Sequence, residues 1–161
     1  MEALDKLRTV CNHSNVDYEL FKDKIPLKTA TTGVVEYGIN LYEAAPTLII
    51  KADETIMAAI IRGDTRISFK KSKEFLKLTR LCLAKPEEIY NLTGSKIGNV
   101  SLINEGLKTL MDKKVLDNEY VYGGCGAPNH TLKIKVIDLI KTTNATVVDF
   151  THLKTNQHAN G

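Results

Sequence analysis

The chain has 161 residues, of which 43% are hydrophobic, and a formal net charge of +3. That length and composition fit one domain over residues 1–161 with a sizeable core, and they exclude disorder, collagen and coiled coil. The weak positive charge is compatible with a local nucleic-acid contact but does not by itself require one.

Leu4, Leu7, Val10 and Cys11 recur at helical spacing, which predicts an amphipathic helix over residues 3–12. The opening MEALDKLRTV carries acids and no apolar signal core, so a reducing, cytoplasmic setting is expected. Tyr18 to Phe21 reads as a short strand. Thr29 to Ile39 reads as a helix interrupted by Gly33 and Gly38. Pro46 opens the run TLIIKA, ADET turns, and TIMAAIIR returns. These continuous apolar runs predict a hairpin buried on both faces. Arg62-Gly63-Asp64 reads as the turn after it.

Residues 69–78 read as a helix with Phe69, Phe75, Leu76 and Leu78 inward, and Arg80 to Leu83 as a strand. In AKPEEIYNLTG, Pro86 suits the first helical position, Glu87 and Glu88 complement the helix dipole, and Gly94 stops the helix. Strands follow at Thr109–Met111, Tyr120–Tyr122 and Leu132–Val136. A short helix over 137–141 and a strand over 146–150 complete the chain before a polar tail, THLKTNQHANG, expected to fray. Helices and strands mix without regular βαβ alternation, which predicts an α+β domain on a curved, mixed and mostly antiparallel sheet with surrounding helices.

The common chemical signatures are missing. There is no glycine-rich nucleotide motif and no nucleophile elbow, and His13, His130, His152 and His158 do not cluster at metal-ligand spacing. Cys11, Cys82 and Cys125 give no disulfide framework and no paired zinc spacing. No metal and no cofactor is expected.

Three features remain. Lys51 ends an apolar strand and shares parity with Ile49. It is either a strand-end lysine whose head snorkels into water or a fixed positive charge at a pocket mouth. In the loop GSKIGNVS, Gly94 ends a helix, but Gly98 implies a tight turn or a close backbone approach, with Ser101 nearby. In YGGCGAPNHTLKI, His130 has the parity of Leu132, Ile134 and Val136, which puts it at the rim of the core. It is either a satisfied structural histidine or a pocket residue. Cys125 has no histidine at a recognisable spacing and is not expected to be a nucleophile.

Taken in order, PTLIIKADETIMAAIIRGD, LAKPEEIYNLTGSKIGNVSLI and YVYGGCGAPNHTLKI resemble the YbaK family, which is similar to the editing domain of bacterial prolyl-tRNA synthetases. The resemblance is strongest over residues 18–150. It implies a YbaK-like α+β domain that hydrolyses a wrongly formed aminoacyl-tRNA ester in trans. The expected substrate is a small amino acid on a tRNA(Pro)-type acceptor end, with a synthetase as a possible partner. A non-catalytic module binding aminoacyl-tRNA or a synthetase is the alternative. The resemblance implies roles for Lys51 and His130 in catalysis. It implies substrate binding by Gly94, Gly98, Val100, Ser101, Gly123 and Gly124. Two departures stand out: Leu102 occupies a position where the family commonly has proline, and the NHTLKI pattern, absent from the YbaK subgroup, points away from cysteinyl-tRNA.

Overall fold

Two apolar runs organise the molecule. In the computed structural model, which describes residues 3–24 and 30–154, β2 (Thr47–Ala52) and β3 (Thr55–Ile60) pair antiparallel with Thr47 opposite Ile60. Asp53 makes the turn in the left-handed region, at φ 54°, and its carboxylate accepts the Arg80 N–H at 2.7 Å. That contact seats β5 (Leu81–Leu83) against β2. On the other side, β6 (Lys108–Asp112) and β9 (Thr146–Val148) add in parallel, giving the order β5-β2-β3-β6-β9. Both faces of the hairpin are buried, as continuous apolar runs require. Ile49 and Ala58 pack with Ile89 on one face, and Ile50 and Ala59 pack with Leu110 and Phe150 on the other.

A second, antiparallel sheet runs β1 (Tyr18–Lys22), β8 (His130–Lys135), β7 (Tyr120–Gly123). It buries Leu132 and Ile134 against Leu7 and Cys11 of α1 (Ala3–Ser14) and Leu139 of α5 (Val136–Thr143). Val136 therefore opens a helix rather than closing a strand. The two sheets join where Ala44 bridges Tyr122 and the Ala45 N–H donates to the Tyr122 carbonyl at 2.8 Å. The architecture is thus α+β with a mixed sheet, broken into ladders that meet at this seam.

Two expectations need correction. In α3 (Phe69–Leu76), Ser72, Leu76 and the following Leu78 face inward, whereas Phe69 and Phe75 are 41% and 58% exposed. Ser72 sets the buried side by donating to the Ser68 carbonyl at 2.7 Å. Leu76 lies one turn on, and Phe75 is rotated away by about 100°. The start of the polar tail does not fray. Thr151–Leu153 forms β10, paired antiparallel with β4 (Thr65–Ile67), and Thr151 is fully buried. The rest of the tail, from Thr155 and including His158, lies outside the described residues. So does Thr29, just before α2 (Ala30–Tyr37). Arg62-Gly63-Asp64 is a turn, closed by the Thr65 N–H on the Arg62 carbonyl at 2.9 Å, with Arg62 Nε on Asp64 at 2.6 Å.

Candidate functional site

The glycine-rich turn and the 98–102 loop lie side by side for a steric reason. A Cβ on Gly124 would strike the Val100 carbonyl, and one on Gly123 would sit 2.7 Å from the Leu102 side chain and 2.8 Å from the Ala45 oxygen. Only glycine lets these backbones approach so closely. Two hydrogen bonds fasten them: Leu102 N–H to the Gly124 carbonyl at 2.9 Å, and Gly126 N–H to the Asn99 carbonyl at 3.0 Å. A proline at 102 would lack the first donor. Leu102 itself is fully buried in the core.

Between these loops and the β2 edge opens a cleft of about 320 Å³, a size that suits a small ligand. Ile49, Ala84, Ile89, Ile97 and Val100 supply apolar wall, and Gly98, Gly123 and Gly124 supply backbone wall. The N–H groups of Gly98, Val100 and Gly124 donate to no backbone acceptor among the described residues. Thr47, also in the wall, holds a buried hydroxyl without a partner among those residues.

His130 lines the cleft from the first residue of β8. Its Nδ1 lies 2.9 Å from the Pro128 carbonyl oxygen. An oxygen without a proton can only accept, so Nδ1 carries the hydrogen. In the neutral ring, Nε2 is then left as the acceptor. Next to it, Thr131 is 7% exposed and donates to Asp23 Oδ1 at 2.7 Å, while the Tyr37 hydroxyl donates to the same oxygen. Burial, then the bond to Asp23, pushes Tyr37 well above the usual phenol range and keeps it a donor. Phe21 and Tyr122 pack on Tyr37 at 5.6 and 5.9 Å between ring centroids. Asp23, Tyr37 and Thr131 carried no sequence signal as site residues.

The residues singled out from sequence divide. Gly98, Val100, Gly123, Gly124 and His130 converge on this cleft. Gly94 and Ser101 line a separate hollow beside α1. There Gly94 ends α4 (Pro86–Thr93) in the left-handed region, and the Ser101 hydroxyl accepts the Ile103 N–H at 3.0 Å. Lys51 is outside the cleft lining, with its ammonium 2.9 Å from Glu88 Oε2. That bond raises the Lys51 pKa. The Lys85 backbone N–H, then Lys51, lowers that of Glu88.

Cys125 is buried, and desolvation raises its pKa. Burial pushes Cys11 up to about 11. A nucleophilic cysteine needs the opposite shift. The described residues contain no cluster of His, Cys, Asp or Glu placed to hold a metal ion. Among them no helix is long and apolar enough to cross a membrane.

The aminoacyl-tRNA editing domain family matches residues 25–142. A proline–tRNA ligase of Caldicellulosiruptor bescii is 32% identical over 103 residues, covering 63% of this chain and 18% of that one. The chain spans about a fifth of the length of the curated relatives it matches. The crystal structure of hypothetical protein APE2540 superposes with a TM-score of 0.85 at 25% identity, over 94% of this chain and all of that one. That of a protein proposed to be a trans-editing enzyme for prolyl tRNA synthetase superposes at 0.82 and 19%, over 94% of this chain and 98% of that one.

Proposed function

Because the chain belongs to the aminoacyl-tRNA editing domain family, we propose that it is a deacylase, one that hydrolyses the ester between a small, wrongly attached amino acid and the acceptor end of a tRNA(Pro)-type tRNA in the cytoplasm. The observation that carries this reading is the convergence on one small apolar cleft of His130 with Gly98, Val100 and Gly124, whose N–H groups donate to no backbone acceptor among the described residues. A cleft of about 320 Å³ has room for an aminoacyl group and part of its nucleoside, and its apolar walls suit a small side chain. Similarity to proline–tRNA ligases supports the tRNA class, and a synthetase partner fits the same reading. The domain is read as one unit over residues 1–161.

The ester is already activated, so positioning supplies much of the catalysis. Water attacks the carbonyl carbon, and His130 Nε2 accepts its proton. The carbonyl oxygen becomes an oxyanion facing the loop N–H groups. The tetrahedral intermediate collapses by releasing the ribose oxygen, which takes the proton back from His130 Nε2 and leaves the imidazole neutral again. The products are the free amino acid and a tRNA with its terminal hydroxyl restored. Ser101 acts at one remove, by shaping the loop that carries Gly98 and Val100, whereas Gly94 ends the helix before that loop.

Incubation with a panel of mischarged tRNAs tests the reading. Release of a small amino acid is expected, and stability of every ester at enzyme excess overturns it in favour of a binding module. His130→Ala is expected to lower kcat on the order of 10²-fold, with KM changed far less. An unchanged kcat would make His130 a wall residue only. Lys51, two residues along β2 from Ile49, is assigned to the tRNA backbone outside the cleft. In Lys51→Ala, KM should rise at low salt, and the slope of log KM against log salt should fall by about one phosphate contact. An identical slope would return Lys51 to a purely structural pair with Glu88.

A further inference from the structure

We propose that Asp23 is the recognition group for the α-ammonium of the aminoacyl ester, so that the cleft selects esters bearing a free, charged amino group; this rests on the deacylase reading above. Among the described residues lining the cleft, Asp23 alone carries a carboxylate, and none is a lysine or arginine. Asp23 is 9% exposed, and no salt bridge reaches its carboxylate among the described residues. Two hydroxyls, from Tyr37 and Thr131, both donate to Oδ1. Oδ2 receives no hydrogen bond among those residues. A buried anion held by neutral donors, with no counter-ion among the described residues, is costly on its own, and a cationic ligand group offsets that cost.

The position fits the chemistry. In an aminoacyl ester the ammonium is one carbon from the carbonyl under attack, so its binding group must stand beside the hydrolytic one. Asp23 is bonded to Thr131, the neighbour of His130, and its own N–H donates to the Asn129 carbonyl at 2.8 Å. Asp23 is thus tied to the residues on either side of His130, and Asp23 and His130 both line the cleft. Phe21, Tyr37 and Tyr122 pack together at this end, which holds the Tyr37 donor in place. An α-amino group remains protonated below about pH 7.7, so the substrate carries the charge that the cleft lacks.

The test compares an aminoacyl-tRNA with the α-hydroxyacyl-tRNA made from it, which is nearly isosteric but neutral. With wild-type protein, kcat/KM for the hydroxy ester should be at least about 10-fold lower, the factor that one charge-assisted hydrogen bond supplies. Asp23→Asn should lose a similar factor on the amino ester and little on the hydroxy ester. Tyr37→Phe keeps the charge and should keep the discrimination. Equal hydrolysis of both esters by wild type, a comparison needing no variant, overturns the assignment while leaving the deacylase reading intact. Equal loss on both esters in a folded Asp23→Asn also overturns it. Hydrolysis of neither ester by wild type overturns the deacylase reading, and this assignment with it.

Discussion

Gly124→Ala is expected to destabilise the fold by roughly 2–3 kcal/mol and to lower deacylation on the order of 10²-fold. The added methyl would overlap the Val100 carbonyl and lie 3.0 Å from the Val100 carbonyl carbon. Both obstacles are backbone, so no rotamer change relieves them. The loop must instead move, and it is tied by Leu102 N–H to Gly124 and by Gly126 N–H to Asn99. Movement breaks these bonds or carries the N–H groups of Gly98 and Val100 away from the ester, and a misplacement of about 1 Å is enough for the stated loss. Gly94→Ala is the internal comparison. Its φ is +76° with nothing within 4 Å of an added Cβ, so it pays only the left-handed backbone cost of about 1–2 kcal/mol, away from the cleft. Urea melts and single-turnover hydrolysis measure both variants. A Gly124→Ala protein within about 0.5 kcal/mol of wild type and fully active would mean that the loops do not form the proposed wall.

The contrast between these glycines shows what the sequence carries. Helix ends and the hairpin were legible because their signals are local. Pro86 and Gly94 bracket α4, and TLIIKADETIMAAI contains both strands and their turn. The pairing of the two glycine loops was legible only as unexplained backbone freedom, since the reason for Gly124 is a carbonyl 24 residues away. Lys51 reads from sequence either as a strand-end lysine whose head snorkels into water or as a fixed positive charge at a pocket mouth, and in the structure its ammonium pairs with an anion. That anion is Glu88, which from sequence had a sufficient role as a dipole partner of α4. Asp23 was invisible because its meaning depends on the register of β1 with β8, which sets Lys22 opposite His130 and brings Thr131 within reach. The exposed Phe69 and Phe75 failed for a different reason. Eight residues of helix offer too short a stripe for hydrophobicity alone to choose the buried side, and Ser72 chose it instead.

Asp112→Ala is expected to cost about 3–5 kcal/mol, which is a large share of a total stability of roughly 5–15 kcal/mol. Asp112 is wholly buried at the end of β6 and organises the tail that the sequence left frayed. Its Oδ1 accepts the Phe150 N–H at 2.9 Å. Its Oδ2 accepts the Thr151 hydroxyl at 2.8 Å and the Lys114 N–H at 3.1 Å. Alanine strands three donors in a place that water does not reach, and each loss is worth about 1–3 kcal/mol before non-additivity. Lys114 Nζ, 2.9 Å from the Thr151 carbonyl and 3.3 Å from Asp149, keeps its other partners, which limits the loss. Asp112→Asn should fall between alanine and wild type. Its amide oxygen replaces Oδ1, and the Thr151 hydroxyl can turn to accept from the amide, but the Lys114 N–H then faces a donor. The urea midpoint measures all three proteins. None of the residues of this network lines the cleft, so the folded fraction of either variant should deacylate at the wild-type rate. A midpoint for Asp112→Ala equivalent to less than about 1 kcal/mol of loss would mean that Phe150 and Thr151 are held by packing alone.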